Sequence, residues 1–435
     1  MKLGRFVLVS ALVVLSGASV WADIVKFESS GAGEIRKLRV AVPAFAAPPE
    51  LQAAAKEMAD VVASDLEFTG FFTPVPTTEF PAGFTGLPAD PTQIDFGMWA
   101  STRSDYLVYA TVTQQGDTLV AECRMFTIAN GTQLVGQRFQ AQKDLPRLVA
   151  HRFSEEIVKY VDGTPGIGTS RICFSANVGN NKEIFVADYD GHNAKQATKH
   201  NSISIKPKMS PDGRKIAYVS YKDRYPFLYI FDLDTGTSTP LSKHVGLNSS
   251  PAWSPDGGTI AMTLSKDGNT EIYLKNADGS NPRRLTNDPG SDTSPTFDPT
   301  GRQIAFVSER GGVPQIHVMN SDGSNVHRVT FGKSYDPAWS PDGRMIAYVA
   351  ENSGEGFEIY VLNVQSGENY RLTDSAGNNE SPSWSADSRH VIFSSTRAGK
   401  GLYAVSVRPP FEEHRIGSGN MSCEGPSWGP RRAQN

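Results

Sequence analysis

Asp188-Tyr189-Asp190-Gly191 has the spacing that opens a calcium loop, where alternate carboxylates offer hard oxygen ligands around a glycine turn. No glutamate follows at the distance that closes such a loop. Asp278-Gly279 and Asp322-Gly323 return in a similar setting, so the group reads as a turn between strands. Other catalytic signals are missing. There is no Gly-x-Ser-x-Gly elbow to present a nucleophilic serine. There is no His-Glu-x-x-His, and no pair among the eight histidines has zinc spacing. Phosphate-cradling and dinucleotide glycine loops are absent. Glu412-Glu413-His414 reads as a solvated strand edge, and the remaining carboxylates are scattered over turns. No general acid and base are brought together. The chain therefore reads as a non-enzyme that needs no cofactor and no metal.

Residues suited to binding occupy six short segments: 199–206, 243–250, 287–294, 331–336, 374–381 and 417–425. They are rich in Asn, Ser, Thr, His and Asp. Each leads into a proline that opens a recurring phrase: Pro207, Pro251, Pro295, Pro337, Pro382 and Pro426, at spacings of 44, 44, 42, 45 and 44 residues. Two places later stand Met209, Trp253, Phe297, Trp339, Trp384 and Trp428. An apolar phrase follows, KIAYVS at 215–220 and its relatives, with an extra copy, RICFSA, at 171–176. A third phrase such as EIYLKNADG ends each unit, usually before a pair like Leu285-Thr286.

That period, with several short strands per unit, predicts a β-propeller of six four-stranded blades. Strand A carries the proline, whose missing N–H suits the free edge at the central channel. Strand B carries the apolar run, buried between neighbouring blades on both faces. Ser254-Pro255-Asp256-Gly257 is the A–B reverse turn. The variants at 298–301 and 385–388 should be looser turns. The tryptophans are read as packing between blades. The first B phrase lacks an A phrase before it, and Pro426-Ser427-Trp428 lacks a B phrase after it. The last blade should thus join N- and C-terminal strands and seal the ring. In this topology the six polar segments are D–A loops around one mouth of the channel, together with the B–C loops. The A–B and C–D turns lie on the opposite face.

Ahead of the propeller, assigned to 168–430, residues 35–163 predict a small α/β domain: a strand at 38–42, helices at 49–66, 94–101 and 145–161, and antiparallel strands at 106–114, 118–128 and 132–142. This domain should sit away from the mouth. Residues 1–22 have the charged start, short apolar core and small-residue end of a secretory signal peptide. Between them, 23–34 is a tail in which Val25 and Phe27 alternate with polar residues before a Ser/Gly stretch. On pattern alone it is either a strand of its own domain or a segment that adds to a partner's sheet. Cleavage after Ala22 moves the net charge from −4 to −6, which argues against nucleic acid. Cys123, Cys173 and Cys423 form no disulfide framework. Cys173 and Cys423 are expected on paired strands but offset by about four residues, too far for a bridge.

A signal peptide, a small α/β domain and six PxWSPDG…IAYVS…IYV units together resemble the TolB family, the periplasmic component of the Tol–Pal system, over essentially the whole chain. The resemblance implies a periplasmic, non-enzymatic adaptor that is monomeric alone. It implies that the propeller mouth binds the peptidoglycan-associated lipoprotein Pal, and that the tail binds TolA as a strand, within a complex that includes TolQ and TolR. Outer-membrane integrity and cell division are the implied roles. Carried onto this sequence, the Pal contacts are Leu247, Asn248, Ser250 and Thr293, with Leu247 replacing a histidine of some members. The TolA segment begins Asp23, Ile24, Val25, Lys26, Phe27, Glu28. An exported propeller enzyme and a glycan-binding module are the alternatives; the latter needs exposed aromatics at the mouth.

Overall fold

The computed structural model describes residues 36–432 apart from 353–355, 375–376, 398, 418 and 420. The segments read as signal peptide and tail lie outside the described residues.

The N-terminal domain starts with β1 (Leu38–Ala41), α1 (Gln52–Phe68) and β2 (Phe72–Pro74). Then come α2 (Phe96–Trp99), β3 (Tyr106–Gln115), β4 (Thr118–Thr127), β5 (Gln133–Gln142) and α3 (Pro146–Asp162). The sheet order is β2-β1-β3-β4-β5, parallel across β2-β1-β3 and antiparallel after that. β2 is the element that sequence reasoning missed, because three residues ending in proline carry no periodicity. Helix α1 starts three residues later than expected, since Pro49–Leu51 form a 3-10 turn. Helices α1 and α3 bury Met58, Val62, Leu66, Phe153 and Ile157 against one face of the sheet. Residues 74–91 cover the other face. Phe80 and Phe84 pack on Trp99, and the Tyr109 hydroxyl donates to Pro88 O and Ala89 O.

Six four-stranded antiparallel sheets follow. The closing blade holds β6 (Ser170–Val178), β7 (Asn181–Asp188) and β8 (Lys195–Gln196), completed by the C-terminal strand Cys423–Arg431. Trp428 lies opposite Ile172, and its indole N–H donates to Ser170 Oγ at 2.8 Å. Cys173 pairs with Ser427, four positions from Cys423, and all three cysteines are buried and free.

The B strands are the core. Ala217 and Val219 of the Pro207 blade meet Ile260 and Met262 of the Pro251 blade, while Ile216 and Tyr218 meet Cys173 and Ile184 of the closing blade, which is the two-faced burial that the apolar run requires. The tryptophans span neighbouring blades: Trp253 and Trp384 donate to Lys208 O and Ala338 O, at 2.9 and 2.8 Å. In the A–B turn, the Ser254 hydroxyl accepts from Thr259 N and Asp256 Oδ1 accepts from Gly258 N, both at 2.9 Å. The variant turns are not looser. Their closing N–H···O bonds, Gly301 to Asp298 and Ser388 to Ser385, are 3.0 Å, against 2.9 Å for Gly257 to Ser254. Asp298 takes over the serine's acceptor role toward Gln303 N, and Ser388 adopts the glycine's left-handed conformation at φ 60°.

Each proline sits in a β-bulge that the phrase did not announce. The residue before it is left-handed: Lys206, Ser250, Ser294, Asp336 and Ser381 have φ between 45° and 57°, and Gly425 has φ 59°. The bulge bends strand A around the channel. Only Gly425 adopts this conformation without a Cβ penalty. The Ser381→Gly variant is therefore expected to gain stability, by at most about 1 kcal/mol after glycine's own entropy cost. Urea melts of the variant and the parent measure it.

Candidate functional site

The mouth is built by a repeated anchor. Glu183, Glu271 and Glu358 lie within the first three residues of their C strands and are almost fully buried. Each accepts from the threonine two residues past the end of strand D: Thr198 at 2.5 Å, Thr286 at 2.6 Å, and Thr373. Spare acceptor capacity goes to the loop backbone. His200 N and Asn201 N bind Glu183, and Asp288 N binds Glu271. Arg284 and Arg371 neutralise Glu271 and Glu358 at 2.9 and 3.0 Å. The D–A loops are thus held by charge-assisted bonds at their roots. The signal for this was the Glu before the IFV, IYL and IYV phrases, at 183, 271 and 358, each followed fifteen residues later by a Thr. B–C loops brace the D–A loops further: Asn269 Nδ2 donates to Asp288 O and Gly290 O, and Ser265 Oγ accepts from Leu247 N.

Leu247 ends one D–A loop, Asn248 and Ser250 lie in the A strand that follows it (Asn248–Trp253), and Thr293 lies on the next blade, paired with Val307. Leu247 and Thr293 are half-buried. Asn248 is fully buried: its amide donates to His244 O and Gly246 O and accepts from the Ser242 hydroxyl and His244 N. It shapes the loop from within. Ser250 stands at the bulge, on the wall of a channel cavity of about 290 Å³ that Lys206, Lys208, Ser294 and Asp336 also line. Exposed apolar side chains gather on this face. Of the eleven large ones among the described residues, seven sit on mouth loops: Val178, Ile203, Tyr221, Tyr225, Val245, Val313 and Phe331. Val245 and Phe331 are 91% and 78% exposed, so this face carries apolar surface that water would otherwise disfavour.

The α/β domain docks on the opposite face, as the topology required. Phe68, the last residue of α1, sits between the rings of His390 and His414, with centroids at 4.6 and 4.9 Å. The Phe68 carbonyl accepts from His390 Nε2 at 2.9 Å. Burial pushes the His390 pKa down to about 4, and burial lowers that of His414 as well. Asp65 of α1 is a buried hub that accepts from Tyr189 OH at 2.6 Å, from His151 Nδ1 at 2.8 Å and from Ser154 Oγ. Burial opposes a charge on His151, yet the Asp65 carboxylate outweighs it and the pKa is raised. Asp, His and Ser meet here, but the carboxylate bridges the other two, and the serine hydroxyl points at Asp65 and at His151 O rather than at the ring. No activated nucleophile results.

Fold and rim together define the class: a six-bladed propeller with a small α/β domain on its turn face and an open, partly apolar mouth on the other. Two family descriptions match the chain, "TolB amino-terminal domain" over residues 31–134 and "TolB beta propeller domain" over residues 158–432. The chain belongs to the TolB family. It is similar to the Tol-Pal system protein TolB of Desulfosudis oleivorans, 35% identical over 232 residues, 52% of each chain. It is also similar to that of Syntrophotalea carbinolica, 36% identical over 215 residues, 49% of each. The chain thus spans about half the length of the curated relatives it matches. Its fold is similar to that of TolB from Acinetobacter baumannii, with a TM-score of 0.81 at 27% identity, covering 91% of this chain and 97% of that one.

Proposed function

We propose that the protein is a periplasmic, non-enzymatic adaptor of the Tol-Pal system that joins Pal at the propeller mouth to TolA at the N-terminal tail. In this reading it works with TolQ and TolR in outer-membrane integrity and in invagination at division. The observation that carries it is the apolar surface concentrated on the mouth loops, on a chain of the TolB family. Leu247, Ser250 and Thr293 would meet Pal from the rim, and Asn248 would hold the loop in shape. Asp23, Ile24, Val25, Lys26, Phe27 and Glu28 would add to TolA as a strand, through main-chain bonds to a sheet edge.

Purified protein without its leader is expected to capture both Pal and TolA in pull-downs. Deletion of 23–31 should abolish TolA capture and leave Pal capture unchanged. Loss of both, or of neither, would refute the division of labour. If Pal shifts the tail between two states, TolA affinity will differ with Pal present and absent, because coupling requires differential affinity. The glycan-binding alternative keeps one support, the exposed Tyr221, Tyr225 and Phe331. Soluble peptidoglycan fragments that displace Pal would favour it.

A further inference from the structure

The Pro207 blade departs from the ring at the channel wall. Before the proline, the other blades carry Ser250, Ser294, Asp336, Ser381 and Gly425; this blade carries Lys206. After the proline they carry Ala252, Thr296, Ala338, Ser383 and Ser427; this blade carries Lys208. Both lysines line the channel cavity. Among the described residues Lys206 Nζ reaches only the Ser250 hydroxyl, at 3.4 Å. Among the described residues no carboxylate pairs with either ammonium. Burial lowers the Lys208 pKa, and Asp336 across the channel compensates only in part. Lys206 is exposed and Lys208 half-buried on the channel wall, and an ammonium without a carboxylate partner at such a partly dehydrated wall gains from an incoming anion.

The loops above this blade share the bias. Lys199, Lys222, Arg224 and Lys243 surround them, while the nearby acids are already engaged, Asp223 by Lys243 and Tyr229 and Glu183 by Thr198 and the backbone of His200 and Asn201. Ile203, Tyr221, Tyr225 and Val245 flank the same sector and are exposed. Apolar surroundings that exclude water on docking strengthen an ion pair at their centre. The opposite wall is acidic. Asp336 accepts from the Ser294 hydroxyl at 3.2 Å, and burial, then Asp336, raises the pKa of Glu380. That wall repels an acid toward the lysines.

We propose that the sector of the mouth over the Pro207 blade is a receptor for an acidic side chain of the docking partner, seated by Lys206 and Lys208. The proposal rests on the reading of the mouth as the docking face. The other blades supply the test variants, since Lys206→Ser and Lys208→Ala install residues that this ring already carries at equivalent positions. Each should weaken Pal binding about tenfold, as loss of a close interfacial charge pair does, and flatten its salt dependence. Lys208→Glu should weaken it further. Unchanged affinity, or tighter binding by Lys208→Glu, overturns the proposal.

A second probe does not depend on Pal. Hexaglutamate, read by the fluorescence of the channel tryptophans, should saturate the parent and not the double variant Lys206→Ser/Lys208→Ala, and hexalysine should not compete. If the parent ignores Pal but shows this pattern, the docking reading falls and the acid receptor stands. If hexaglutamate binds parent and double variant alike, or binds neither, the receptor falls whatever Pal does.

Discussion

A chain ending before Cys423 will not form a stable ring. The C-terminal strand is the innermost strand of the closing blade and pairs with β6 from Cys423↔Ala176 to Arg431↔Ser170. Its loss bares the β6 edge at the channel, where the other five sheets keep their A strands. It also removes Cys423 and Trp428 from the cluster that holds Ile172, Phe174, Tyr189 and Leu402. It breaks the tie to the linker, in which the Arg431 guanidinium donates to Gly166 O at 2.6 Å and Pro165 O at 2.7 Å. Trp428→Ala alone should cost about 3–5 kcal/mol, the usual loss for a buried aromatic. A domain of ordinary stability holds only about 5–15 kcal/mol. The truncated chain should therefore be insoluble or lack a cooperative melt, while Trp428→Ala melts cooperatively at a markedly lower temperature. A truncation that melts like the parent would mean that the ring closes by other contacts.

The ring was legible because its signals repeat. A proline and an aromatic every 42 to 45 residues fix the number of blades, and the unmatched phrases at Arg171 and Pro426 fix the closure. What escaped was set by three-dimensional context. The left-handed residue before each proline has no side-chain signature, since Lys206, Ser250 and Asp336 all adopt it. Asn248 was a contact residue only by the family resemblance, which carries positions and not side-chain burial. Its burial follows from satisfying His244 and Gly246 within a tight loop. The lysines at 206 and 208 stood in the alignment beside Met209, yet their meaning depended on the acidic wall that the ring places opposite them. The interdomain contact was not legible at all. Phe68 lay two residues beyond the helix read at 49–66, and Glu412-Glu413-His414 looked like a solvated edge. In the fold His414 is half-buried against Phe68, and Glu412 pairs with Lys37 of the α/β domain.

That contact predicts acid lability. His390 is buried with Nε2–H donated to Phe68 O, so it is held neutral, and among the described residues its Nδ1 has no partner to share a second proton. The groups facing it are Asp387 and Arg389 on its own turn, His414 on the neighbouring hairpin, and the Phe68 ring and carbonyl from α1. Glu412, Glu67 and Lys37 surround His414. The folded pKa of His390, about 4, lies below the usual 6.5, so its contribution is fully present above pH 6.5 and is lost as pH falls toward 4. A shift of that size corresponds to about 3 kcal/mol. His151 works in the opposite sense. Its raised pKa stabilises the fold at low pH, and that contribution disappears as pH rises through the folded value. Since His200, His244, His317 and His414 are lowered like His390, the acid loss should dominate. Thermal melts between pH 7.5 and 4.5 should fall steeply for the parent. His390→Gln, which keeps a donor toward Phe68 O without a titrating ring, should start slightly lower and fall less. Parallel curves would show that His390 carries none of the acid sensitivity. Phe68→Ala should destabilise at every pH, because it removes the side chain around which both histidines are packed.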